Sequence, residues 1–177
     1  KVAVLMGNSV DILEIMYGVV RAGACVVPLS GLLTAEQIEG LINDSGSVAL
    51  ICSQSQREKV DQVRPNLTSV RTDGFVSHDF EATDWRSFTA FLEGMSDQRP
   101  VVDFDLGDDF NIIYSSGTTG LPKGIVQTHR VRQHWSFSNA VDMRFHVNCR
   151  AMTTTALYSN GTWLMVLPAL FAGGTVV

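Results

Sequence analysis

The chain has 177 residues, of which 45% are apolar and 18% charged, and its formal net charge is −5. That is length for one domain or part of one, with enough apolar content for a sizeable core. The acidic balance argues against a general nucleic-acid partner or an anionic membrane surface.

Residues 1–6 read as a strand, and 9–21 as a helix that starts near Asn8 or Ser9 and is stopped by Gly23. Residues 25–29 form the next expected strand. Thr34-Ala-Glu-Gln37 is a capping box ahead of Ile38, Leu41 and Ile42 on one helical face, with Gly46 as the stop. The apolar run 48–52 predicts a strand buried on both faces, and 55–64 a helix ended by Pro65. Asp84 is expected to cap a further helix, with Phe88, Phe91 and Leu92 turned inward and Gly94 behind it. Residues 95–109, with five aspartates against one arginine, are the best linker candidate.

Residues 110–114 lead as a strand into a glycine-rich loop, and Thr128 is expected to cap a long helix reaching about residue 145. Residues 151–177 carry no charge. Their uninterrupted apolar run, 163–172, includes Pro168 and falls short of the ~20 residues that cross a bilayer. A buried helix between two buried strands is expected there instead of a membrane span. Strand and helix alternate with short connections, which predicts a three-layer α/β domain with a mostly parallel sheet flanked by helices. In such sheets ligands sit at the carboxyl ends of the strands.

The loop Tyr114-Ser-Ser-Gly-Thr-Thr-Gly-Leu-Pro-Lys-Gly124 falls at such an end. Its backbone N–H groups, short hydroxyls and single ammonium suit phosphate, with little side-chain bulk. The P-loop pattern G-x-x-x-x-G-K-[ST] does not fit, because Gly124 follows Lys123 where a hydroxyl would hold magnesium. Pro122 also biases Leu121 toward extended geometry. The string instead resembles the phosphate-binding loop of the adenylate-forming superfamily, and within it the acyl-CoA synthetases. The stretch Gly18-Val-Val-Arg-Ala-Gly-Ala-Cys-Val-Val-Pro-Leu29 is similar to an early structural motif of that family. Thr155-Ala-Leu-Tyr-Ser-Asn-Gly161 and Ala172-Gly-Gly-Thr-Val-Val177 are similar to the strand and helix that line its acyl pocket.

The resemblance implies ATP-dependent activation of a carboxylic acid to an acyl-adenylate, then transfer to coenzyme A. It implies ATP, Mg2+ and coenzyme A as cofactors and co-substrates, with no metal ligand in this segment. By the same resemblance Ser115, Ser116, Gly117, Thr118, Thr119, Gly120 and Lys123 hold the phosphates. Lys123, Thr118 and Thr119 would carry the catalysis. Glycines 117, 120 and 124 would admit unusual backbone conformations and close approach to phosphate. Tyr158, Ser159 and Trp163 are the candidate acid-binding residues, with Ser159 standing where many relatives carry a histidine. No Gly-Tyr-Gly-x-Thr-Glu string occurs, so the chain reads as part of the N-terminal AMP-binding domain of a longer synthetase. It would divide into a first α/β part (1–109) and a phosphate-loop and acyl-pocket part (110–177), with the C-terminal domain outside it.

The alternatives are a peptide-synthetase adenylation domain, or a non-catalytic fragment that binds anions or self-associates through an apolar face as a homo-oligomer. His129 reads as a helix-start residue, and Arg130 and Arg132 as a solvated helix face. His78, His134 and His146 lack ligand-like partners, and no G-x-S-x-G elbow supports hydrolase chemistry. Cys25, Cys52 and Cys149 are far apart with no C-x-x-C, which points to reduced thiols, no zinc site and a cytoplasmic setting.

Overall fold

The computed structural model describes residues 1–115 and 122–177. Seven strands form one sheet in the order β5-β4-β3-β1-β2-β6-β7. They are β1 (Val2–Leu5), β2 (Val26–Pro28), β3 (Ala49–Cys52), β4 (Phe75–Ser77), β5 (Arg86–Ser87), β6 (Asp109–Ser115) and β7 (Lys123–Thr128). Every neighbouring pair is parallel except β6 with β7, which is antiparallel. The expected mostly parallel α/β architecture is therefore the one observed. The antiparallel strand β7, however, lies inside what the sequence presents as loop and helix approach.

The central strand β1 explains why the sheet is covered on both faces. Ala3 and Leu5 point into one core with Ile38, Leu41 and Ile42 of helix α2 (Ala35–Ser45) and Val60 and Val63 of α3 (Gln54–Val63). Val4 points into the other with Ile12, Ile15 and Met16 of α1 (Val10–Arg21). Strand side chains alternate faces, so an uninterrupted apolar strand demands helices on both sides. A shorter helix α4 (Phe88–Leu92) follows β5; α5 (His129–Asp142) follows β7; α6 (Asn160–Phe171) lies between two short strands, β8 (Arg150–Ala151) and β9 (Thr175–Val176).

Local sequence sets the helix ends. Ser9 Oγ accepts from Ile12 N–H, Thr128 Oγ1 accepts from Val131 N–H, and Thr34 with Gln37 forms the reciprocal capping box. Gly46 closes α2 at φ 64°, a left-handed conformation that costs a side chain 1–2 kcal/mol or so and glycine almost nothing. Two expectations need correction, and one strand was not expected. Ser87, not Asp84, caps α4, because residues 86–87 are drawn into the sheet as an edge strand, and Phe91 and Leu92 are exposed. The strand β4 falls where the sequence offers no distinctive pattern. The strands flanking α6 are two-residue segments that pair with each other, outside the main sheet and only partly buried.

Candidate functional site

Strand β6 runs parallel to β2, so Ser115 at its end lies on the carboxyl side of the parallel sheet. The hairpin partner β7 returns in register, with Tyr114 opposite Gly124 and Ser115 opposite Lys123. Ser115 is half-buried and Lys123 exposed. The remaining expected phosphate-loop residues, Ser116, Gly117, Thr118, Thr119 and Gly120, lie outside the described residues.

Gly124 has a different reason to be glycine than its place in a loop would suggest. It sits in β7, and a Cβ there would come within 3.0 Å of Ile112 Cγ2 and 3.2 Å of Tyr114 Cε1. The Tyr114 ring lies across the strand pair, and its hydroxyl donates to Asp44 Oδ2 at 2.5 Å, with the Leu41 carbonyl 3.3 Å away. Burial, together with the hydrogen bond to Asp44, holds that phenol protonated well above its ordinary range. The end of β6 is thus tied to α2.

Arg132 overturns the expectation of a solvated helix face. It is 1% exposed, on the same inner stripe of α5 as Ser136 and Ala140. Its Nε donates to Asn111 Oδ1 and its Nη2 to Asn160 Oδ1, both at 3.0 Å. The guanidinium lies 5.1 Å from the Trp135 ring centre and 5.3 Å from that of Trp163. No carboxylate pairs with it among the described residues. Burial pulls its pKa down to about 10, and it remains charged at neutral pH. Asn111 is on β6, one cross-strand step from the buried Gln127 of β7, and Asn160 opens α6. One side chain therefore joins the strand that leads into the phosphate-loop motif to the start of α6. The 132/136/140 spacing was the signal available in the sequence. Arg130, by contrast, is exposed as expected.

The segment expected to line an acid pocket precedes α6. Tyr158 and Ser159 are half-buried there. Trp163 is 1% exposed and built into the core: its indole N–H donates to the Leu157 carbonyl at 3.0 Å, and its ring packs edgewise on Tyr17 and Phe110. His129 is the first residue of α5, its ring between Phe104 and Phe110 at centroid distances of 4.5 and 5.3 Å. Among the described residues no three His, Cys, Asp or Glu side chains gather as a metal-ligand cluster.

The family model "AMP-binding enzyme" matches residues 1–177. The chain belongs to this family. It is 31% identical over 186 residues to the long-chain-fatty-acid–CoA ligase FadD13 of Mycobacterium tuberculosis, covering 95% of this chain and 35% of that protein. It is equally 31% identical over 180 residues to the indoleacetate–CoA ligase of Aromatoleum aromaticum, covering 99% and 34%. Among solved structures, the inhibitor-bound N-terminal domain of FACL13 from Mycobacterium tuberculosis superposes with a TM-score of 0.81 at 27% identity, over 99% of this chain and 42% of that one. The anthranilate CoA ligase AuaEII in complex with anthranoyl-AMP superposes at 0.89 with 22% identity, over 99% and 34%, a likeness of fold. The chain spans about a third of the length of these curated relatives.

Proposed function

We propose that the chain is part of an ATP-dependent acid–thiol ligase that joins a carboxylic acid to coenzyme A. A carboxylate oxygen attacks the α-phosphorus of ATP; the bond to the bridging oxygen breaks, giving acyl-adenylate and pyrophosphate. The thiol of coenzyme A then attacks the acyl carbon, AMP departs, and the thiol proton passes to solvent. Residues 115–120 and Lys123 hold the β- and γ-phosphates, Thr118 and Thr119 by their hydroxyls and Lys123 by its charge, where negative charge gathers as pyrophosphate leaves. Lysine suits this task, because a compact ammonium on a flexible stem follows a group that moves. Tyr158 and Ser159 face the acid.

The observation that carries this reading is the register of Ser115 with Lys123 at the carboxyl end of the parallel sheet, the position where open α/β sheets bind ligands. The CoA ligases among the relatives support the reaction class. Residues 1–109 and 110–177 serve as scaffold and as phosphate and acid part, respectively. Three unpaired cysteines support a cytoplasmic setting. No helix among the described residues is long and apolar enough to cross a membrane. The 177-residue chain by itself is expected to be inactive.

Lys123→Ala in the full-length protein is expected to slow ATP–pyrophosphate exchange about 100-fold, while acid affinity by equilibrium binding changes less than about threefold. Exchange at the unaltered rate would remove Lys123 from the chemistry.

A further inference from the structure

The main chain of residues 155–157 belongs to no strand or helix, yet side chains hold its three carbonyls and the Leu157 N–H. Asn8 Nδ2 donates to the Thr155 carbonyl at 3.1 Å, and the Leu157 N–H donates to Asn8 Oδ1 at 3.0 Å. The Ala156 carbonyl accepts from Thr162 Oγ1 at 2.7 Å, and the Leu157 carbonyl accepts the Trp163 indole N–H. Thr162 and Trp163 are part of α6, the helix that follows the turn directly. Asn8 comes from the far end of the chain, in the short link between β1 and α1. Its carboxamide copies a peptide, offering one donor and one acceptor to a main chain that has no strand to pair with.

We infer that Asn8 is a positioning residue for the acid substrate, fixing the turn that carries Tyr158 and Ser159 against the carboxyl end of β1. This rests on the reading that the same turn faces the acid. Asn8 touches neither Tyr158 nor Ser159 through its hydrogen bonds, so its effect passes through the backbone. It is exposed at the surface, so truncating it leaves no cavity in either core. That separates positioning from folding.

The test uses the full-length protein and whichever of acetate, octanoate, palmitate, benzoate and indoleacetate it activates fastest in ATP–pyrophosphate exchange. Asn8→Ala is expected to raise KM for that acid about tenfold, to leave KM for ATP within about twofold, and to leave the thermal midpoint unchanged. Asn8→Asp has the same shape and keeps the acceptor for Leu157, but replaces the donor to Thr155 with a second acceptor; it must fail to restore the acid KM. An unchanged acid KM in Asn8→Ala, an equal rise in both KM values, or full recovery in Asn8→Asp would overturn the inference alone. If the unaltered protein activated none of the five acids, the functional reading would fall and the inference with it.

Discussion

Tyr114 and Gly124 show how a single cross-strand pair shapes the site. The ring needs the space above the glycine, and the hydroxyl needs the ring held there to reach Asp44. A Cβ at position 124 presses on the half-buried Tyr114 ring and on Ile112, which is buried in the core. Gly124→Ala is expected to destabilise the protein by about 1 kcal/mol, the lower end of overpacking costs, read as a lower urea midpoint at unchanged slope. In a Tyr114→Ala background the same change should cost less, since only the contact with Ile112 remains and alanine orders a strand more readily than glycine. A loss of equal size in both backgrounds would mean that crowding is not the cause. The sequence displayed Gly124 as one more glycine of a flexible loop; only the return strand reveals that it lies under an aromatic ring.

At the scale of elements, the caps were the most legible part of the chain. Ser9, Thr34 with Gln37, Gly46 and Thr128 each act where their residue type and spacing place them, because a cap is a local bargain between a side chain and the next turn. Edge and return strands were not legible. Residues 86–87 join the sheet through long-range pairing with β4, which overrides the local attraction of Asp84 as a cap. The strand β7 begins at the lysine of a motif that reads as loop throughout. Arg132 was hidden for another reason: an arginine two positions from another arginine suggests solvent, whereas its i+4 and i+8 partners are small and inward.

Burying that guanidinium without a carboxylate is costly, and what offsets it is two amide oxygens and two indole faces. Arg132→Met is expected to destabilise the protein by about 1–3 kcal/mol, because it strands the amide of Asn111, itself 0% exposed. Adding Asn111→Leu should recover at least half of the loss, as an apolar pair replaces a broken polar one. Denaturant midpoints of the two variants decide it. No recovery would show that Arg132 matters chiefly through Asn160 and the indoles.

The whole molecule is a sheet with two apolar faces, and that architecture keeps several titratable groups dry. Burial pushes the Cys25 thiol up to about 11 and the Cys52 thiol and Tyr17 phenol up to about 12, against ordinary values of 9.0 for the thiols and 10.0 for tyrosine. Above pH 9 or so the unfolded chain therefore releases protons that the native state keeps, and stability falls as pH rises. The thermal midpoint is expected to be insensitive to these groups between pH 7 and about 9 and to drop between about 9 and 12. A midpoint that rose or stayed level across that upper window would contradict the burial of all three.

The strand β7 ends the sheet, and no other described strand pairs with its outer side. Ile125 and Val126 are 41% and 50% exposed along it, with Lys123 at their head. An open, greasy border of this kind invites strands from other molecules, and a cation beside it is one of the devices that keep them away. Lys123 would then guard solubility as well as fill the phosphate role proposed for it. Neutralising it would remove both at once, so arginine, which keeps the charge while changing its shape, is the substitution that tells clumping apart from lost chemistry.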